Sequence, residues 1–124
     1  MEALIGYLTT RWEDEERVTK AASEPHRRSW VGGLDDLDLP YVVGEPDQGR
    51  RAAVAAPEDQ EAAEHIAYWD PARVLAEVAA KRLRLAVIEH LLADDPTDET
   101  AAYLLRCEAL PYADREGFRD EWRL

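Results

Sequence analysis

The sequence has a single cysteine, Cys107, and no long apolar run. One thiol excludes an internal disulfide and a zinc site built from several cysteines. No apolar stretch approaches the roughly 20 residues that a membrane-spanning helix needs. The first residues also lack the basic start and apolar core of a signal peptide. We therefore expect a cytoplasmic protein that has no contact with a membrane.

Basic residues are scarce as well. Lysine and arginine number 15 against 27 aspartates and glutamates, which gives a net charge of −12. A sequence-independent grip on nucleic acid requires lysines and arginines that neutralise phosphates. We therefore expect no direct binding of DNA or RNA. The acids are spread over most of the chain, which is typical of a solvated surface, and mimicry of nucleic-acid charge remains the alternative explanation.

The length and composition indicate one folded domain. A chain of 124 residues can enclose a single core but is too short for two. Hydrophobic residues make up 46% and charged residues 34% of the sequence, a balance typical of globular proteins. We predict a single domain over residues 1–124.

Proline marks the boundaries of the predicted helices. The ring of Pro71 disfavours helical backbone at Asp70, so one helix ends near Trp69. Pro71 suits the first position of the next helix, and the Asp70 carboxylate can cap it. Asp95-Pro96 repeats this pattern. Together with hydrophobic periodicity, these signals predict helices over residues 2–22, 58–69, 71–93 and 96–109, and a short one over 115–122.

The segment from residue 28 to residue 56 has a different character. Short β-prone runs alternate with glycine and proline, which is typical of strands joined by turns. The runs are Ser29-Trp30-Val31, Tyr41-Val42-Val43 and Ala52 to Ala55, with connections expected at Gly32-Gly33 and at Gly44 through Gly49. The sequence predicts an α+β fold, mostly α-helical, with a small antiparallel meander packed against three to four helices.

The long helix predicted over residues 71–93 is apolar on two faces. Beyond its main stripe, Leu83, Val87 and Leu91 line an adjoining face. A helix with this much apolar surface lies centrally in its fold or is shared with a second subunit. We therefore weigh a homodimer formed through this helix equally against a monomer in which the first and fourth helices cover both faces.

No residue pattern indicates catalysis or a bound cofactor. Glu61 and His65 share the four-residue spacing of a metal-binding pair, but no third ligand accompanies them. Ser23, Ser29 and Cys107 lie in no nucleophile motif. We predict no catalytic residue, no metal and no cofactor, while an enzyme of unrecognised type remains an alternative.

Two runs of residues resemble a known family. They are His65-Ile-Ala-Tyr-Trp-Asp-Pro-Ala-Arg-Val-Leu75 and Leu110-Pro-Tyr-Ala-Asp114. In these runs the chain resembles an uncharacterised family of small proteins from actinobacteria and their phages, known only as a domain of unknown function. The resemblance spans nearly the whole chain, and it implies no activity and no catalytic residues.

The residues around the two runs form our candidate cluster. Arg73 falls in the first turn of a helix, where a cation gains nothing from the helix dipole, so we expect it to pair with Asp114 or Glu121. The cluster is either a structural joint or an exposed groove for a partner. Its members are His65, Tyr68, Trp69, Asp70, Arg73, Tyr112, Asp114 and Trp122.

The function that this sequence favours is non-catalytic. We expect a small acidic interaction or accessory protein of actinobacteria or their phages, whose partner is another protein. One alternative is an acidic decoy that mimics nucleic acid and occupies a DNA-binding protein. The other is the unrecognised enzyme, which a concave apolar pocket with converging polar groups would favour.

Overall fold

The computed structural model describes residues 1–26, 29–44 and 53–124. The fold is mostly helical α+β, as predicted, with a three-stranded antiparallel sheet. In chain order the described elements are α1 (Glu2–His26), β1 (Trp30–Leu34), β2 (Pro40–Gly44), β3 (Ala53–Ala55), α2 (Gln60–Tyr68), α3 (Pro71–Asp94) and α4 (Glu99–Ala109), followed by short 3₁₀ helices at Leu110–Tyr112 and Asp120–Trp122.

The chain divides into two compact units. Unit 1 combines residues 1–14 with residues 78–124, and unit 2 consists of residues 15–77. Each unit is described by itself below. The single domain that the sequence predicts over residues 1–124 stays a prediction.

The sheet of unit 2 is the predicted meander, with strand order β1-β2-β3. In the β1–β2 pair Trp30 lies opposite Gly44, and Leu34 lies opposite Pro40. The predicted connection at Gly32-Gly33 is wrong, because both glycines lie inside β1. Residue 28 and residues 45–52 lie outside the described residues. This gap includes most of the connection predicted at Gly44 through Gly49, and it includes Ala52, the first residue of the third predicted run.

The turn between β1 and β2 is instead formed by Asp35. Its Oδ1 atom accepts hydrogen bonds from the backbone N–H groups of Leu37 (2.8 Å) and Leu39 (2.9 Å). Asp38 adopts a φ of 57°, the left-handed conformation that aspartate tolerates better than most residues. The side chain of an aspartate, and not a glycine pair, therefore closes this hairpin.

Position 32 of β1 requires a glycine because α2 runs directly across it. A Cβ atom at this position would overlap the carbonyl oxygen of Ala63 and lie 2.7 Å from its carbonyl carbon. Val42 and Ala63 are fully buried at this contact between sheet and helix. In unit 2, α2 packs against both β1 and β2. The wider layer of three to four helices stays a prediction.

Unit 1 has an apolar core that the first part of α1, the second part of α3 and α4 build together. Leu8, Ala101, Leu105 and Ala109 are completely buried. Val78, Leu85 and Ile88 follow one another at helical spacing on α3, and all three are buried. The remaining core residues are Leu4, Trp12, Tyr112 and Trp122.

Two predicted helix boundaries are wrong, the C-terminal end of α1 and the start of α2. Helix α1 does not end before Ser23-Glu24-Pro25 but continues to His26. A proline so close to the end of a helix removes only one of its last backbone hydrogen bonds. Helix α2 begins at Gln60 and not at residue 58, because the carboxylate of Asp59 accepts from the Ala62 N–H at 2.7 Å and caps it.

The predicted start of the fourth helix at residue 96 is also wrong. Asp98 is the capping residue, since its Oδ1 atom accepts from the Ala101 N–H at 3.0 Å. The carboxylate of Asp95 is engaged by Thr97, whose backbone N–H (2.9 Å) and hydroxyl (2.7 Å) both donate to it. These bonds hold residues 95–97 in a turn, so the helix begins later.

The helix predicted over residues 115–122 is reduced to the 3₁₀ helix at Asp120–Trp122. Gly117 has a φ of +83°, which breaks any helix through this segment. The side chain of Tyr7 lies 3.4 Å from the position that a Cβ atom would occupy at this glycine. The spacing of Phe118 and Trp122 nevertheless brings their rings together, 5.6 Å apart.

Replacement of Gly32 by alanine is expected to destabilise the protein. The new methyl group would have to displace the backbone of α2, and overpacking of this kind typically costs about 1–3 kcal/mol. The matched control is Gly6→Ala, because nothing lies within 4 Å of a Cβ atom there. That substitution is expected to stabilise α1 by about 0.5–1 kcal/mol. Urea denaturation measures both; equal effects would contradict the close approach of α2 to β1.

The pKa of Asp95 is expected to lie below the ordinary aspartate value. The Thr97 hydroxyl and then the Thr97 backbone N–H lower it by stabilising the charged form. A lowered folded-state pKa means that the turn is stabilised above the unfolded pKa and loses this contribution as the pH falls through the folded value. Carboxyl-carbon NMR titration should show a higher Asp95 pKa in Thr97→Val and an unchanged one in the control Thr100→Val.

Candidate functional site

The elbow between α2 and α3 is fixed by Asp70. The N–H of Trp69 closes α2 through the carbonyl oxygens of His65 (3.4 Å) and Ile66 (3.2 Å). Asp70 Oδ1 then accepts from the Arg73 N–H at 2.9 Å, which caps the start of α3. This confirms the cap that the sequence predicts. The other carboxylate oxygen, Oδ2, accepts from the Trp30 N–H at 3.1 Å and so ties the elbow to β1.

Arg73 lies over the two aromatic rings that precede the elbow. Its guanidinium carbon is 4.0 Å from the centroid of the Tyr68 ring and 4.7 Å from that of the Trp69 ring. The two rings meet edge to face, with centroids 5.6 Å apart. Stacking on both rings places the cation where the negative faces of their π systems attract it.

Glu77 is the acidic partner of Arg73. Arg73 Nη2 lies 3.2 Å from Glu77 Oε1, one helical turn further along α3. Side chains four residues apart on a helix are neighbours, so this pair forms without any distant contact. The partner expected from the sequence was Asp114 or Glu121. In the structure Asp114 lies 3.8 Å from Arg115, and Glu121 lies 3.5 Å from Arg119.

The two aromatic rings of the elbow are exposed to solvent. Tyr68 retains 57% and Trp69 44% of its accessible surface. His65 is exposed on the same helix, in its last turn. We call Tyr68, Trp69 and Arg73 the elbow surface. Tryptophan, tyrosine and arginine are the three residues most enriched at the energetic centres of protein interfaces.

The C-terminal members of the predicted cluster belong to unit 1 and differ in burial. Tyr112 and Trp122 are 6% and 7% exposed, so both are part of the core. Lys81 Nζ donates to the Tyr112 hydroxyl at 3.0 Å. Asp114 is exposed to solvent. The eight predicted residues therefore form two groups, five at the elbow and three in unit 1.

Tyr7, which no sequence pattern indicates, is the centre of the aromatic cluster in unit 1. Its ring lies 5.1 Å from that of Trp122, 6.2 Å from that of Phe118 and 6.4 Å from that of Tyr112. The Tyr7 hydroxyl donates to the Tyr112 carbonyl oxygen at 3.5 Å, across 105 residues of chain. Local spacing gives no signal for a contact at such a separation.

The described part of the chain offers neither a metal cluster nor a helix fit to span a membrane. Residues 1–26, 29–44 and 53–124 contain no group of three histidine, cysteine, aspartate or glutamate side chains arranged to hold a metal ion. None of the helices within these ranges has both the length and the apolar character needed to cross a membrane. His65 and Glu61 both lie on the exposed side of α2.

Comparison with known proteins identifies the family. A family model described as "Family of unknown function (DUF6221)" matches residues 1–124. The chain belongs to this family. No curated protein and no solved structure matches this DUF6221 member. The expected resemblance to a family of unknown function is therefore confirmed.

Replacement of Asp70 in this DUF6221 member is expected to cost more than the loss of a helix cap. Asp70→Ala removes both the cap of α3 and the bond to the Trp30 N–H, whereas the control Asp98→Ala removes only the cap of α4. A lost cap costs about 1 kcal/mol, and loss of the part-buried hydrogen bond to the Trp30 N–H adds about 0.5–1.5 kcal/mol. Chemical denaturation compares the two variants. Equal losses would contradict the bond between the elbow and β1.

Proposed function

We propose that this protein is a non-catalytic interaction protein that binds another protein through the elbow surface. It would act as a small acidic accessory factor in the cytoplasm of actinobacteria or of cells infected by their phages. The observation that carries the proposal is the exposure of Tyr68 and Trp69 beneath a stacked arginine. Large aromatic side chains half open to water are typical of surfaces that a partner covers.

The elbow surface is organised before any partner binds. Arg73 is held by the two rings on one side and by Glu77 on the other. The backbone beneath it is fixed by the two hydrogen bonds of Asp70. Side chains already held in one arrangement lose less conformational entropy on binding. This preorganisation favours a role in recognition over a role as unused surface.

The charge of the chain indicates what kind of surface the partner carries. A net charge of −12 repels other acidic proteins and attracts those with basic residues around the contact. Complementary charge of this kind mainly raises the association rate and selects among partners. We therefore propose a partner with an apolar or aromatic pocket for Trp69, surrounded by lysines and arginines.

The test is to capture partners from an actinobacterial host, purify one, and measure its affinity by isothermal titration calorimetry. Trp69→Ala is expected to weaken binding at least about tenfold, which is 1.4 kcal/mol, because a hot-spot tryptophan commonly costs 2 kcal/mol or more. The matched control is Tyr103→Ala, since Tyr103 is an aromatic residue on α4 that is 51% exposed. It is expected to leave the affinity unchanged.

Two results separate this proposal from binding elsewhere on the chain and from the acidic decoy. Equal affinities for wild type, Trp69→Ala and Tyr103→Ala would contradict binding through the elbow surface. The acidic decoy would be favoured by a nucleic-acid-binding partner whose affinity is unchanged by Trp69→Ala but is lost at high salt. Salt screens the exposed charges on which such binding depends. Circular dichroism of each variant checks that a loss of binding does not come from a loss of folding.

A further inference from the structure

One face of α3 within unit 1 is open to solvent and largely apolar. Of the three residues that the sequence places on a second apolar face, Leu91 is partly buried against the unit 1 core. Leu83 and Val87 remain 72% and 60% exposed. In the monomer alternative, neighbouring helices cover this face. Within unit 1 they leave Leu83 and Val87 uncovered.

A row of exposed residues runs along α3 beside Val87 and follows a regular spacing. Steps of four and three residues alternate along it, and every member is exposed to solvent. This is the spacing by which one helix packs along another over several turns. We call these residues the α3 stripe: Ala79, Leu83, Ala86, His90 and Ala93.

The side chains of the α3 stripe suit close packing against a second helix. Ala79, Ala86 and Ala93 recur every seven residues, so small side chains line the middle of the face. Small residues allow two helix axes to approach to about 8 Å, the near limit of ordinary helix packing. Leu83, with Val87 beside it, supplies the apolar bulk that such a contact would bury.

The charges beside the stripe select a second copy of the chain in the opposite direction. Arg82 and Glu89 are exposed on one edge of the stripe, seven residues apart. If two copies pack antiparallel with Ala86 at the two-fold axis, Arg82 of each copy faces Glu89 of the other. If they pack parallel, Glu89 faces Asp94 of the other copy, and like charges repel.

We propose that two copies of this chain associate through the α3 stripe, antiparallel, with the two-fold axis near Ala86. The contact is isologous, so each copy contributes the same residues. The proposal is independent of the function assigned to the elbow surface, because the elbow surface lies in unit 2 and the stripe in unit 1.

Sedimentation equilibrium over a range of concentrations tests the association. At high concentration the mass is expected to reach about 28 kDa, twice the 14.1 kDa of one chain. Leu83→Glu is expected to weaken the dimer at least about tenfold, because it places a charge in a buried contact. Val18→Glu is the matched control, since Val18 is 57% exposed on α1. A monomer at every concentration, or equal effects of the two substitutions, would overturn the proposal.

Charge reversal tests the direction of packing. Arg82→Glu and Glu89→Arg should each weaken the homodimer, because each brings like charges together across the contact. A mixture of the two variants should restore association, since both cross-contacts then join opposite charges. Failure of the mixture to associate more tightly than either variant alone would overturn the antiparallel arrangement.

Cross-linking tests the position of the axis. In a chain that carries Cys107→Ser, a cysteine introduced by Ala86→Cys should react with its counterpart through a short bismaleimide. A cysteine introduced by Ala79→Cys should not, because the two positions would lie about 21 Å apart, fourteen helical rises of about 1.5 Å. Efficient cross-linking at position 79 would show parallel packing and overturn the proposal.

Discussion

The carboxylate of Asp70 makes the two hydrogen bonds on which the structure of unit 2 depends. One oxygen caps α3 and the other accepts from the backbone of β1, forty residues earlier in the chain. A single side chain therefore fixes both the start of α3 and its attachment to the sheet. Tyr68 and Trp69 come directly before it and Arg73 directly after it, so the geometry of the elbow surface follows from the same residue.

The sequence predicts this arrangement only as far as local chemistry reaches. Asp70 as a cap follows from the proline after it, and the antiparallel meander follows from short strands joined by turns. The bond to Trp30 could not be predicted, because nothing in the spacing brings together groups forty residues apart. Asp95-Pro96 shows a second limit. Pro96 disfavours helical backbone at Asp95, but Thr97 and Asp98 decide where the next helix begins.

The aromatic residues show the same limit for the candidate site. The sequence places Trp69 and Trp122 in one cluster because each lies in a family-like motif. The structure buries Trp122 beside Tyr7 and Phe118, while Trp69 stays exposed beside Arg73. Exposure depends on which distant segment covers a ring, and periodicity within one helix carries no information about that. The motif residues thus include both core and surface, which a pattern of identities cannot separate.

The composition of unit 1 from both ends of the chain has a consequence for synthesis. Leu4, Leu8 and Trp12 leave the ribosome early, but the residues of α4 and the Trp122 segment that complete their core follow about a hundred positions later. Contacts of such separation form late in folding. The apolar face of α1 is therefore exposed while the residues between it and α4 are being translated. A growing chain in this state is open to chaperones and to aggregation.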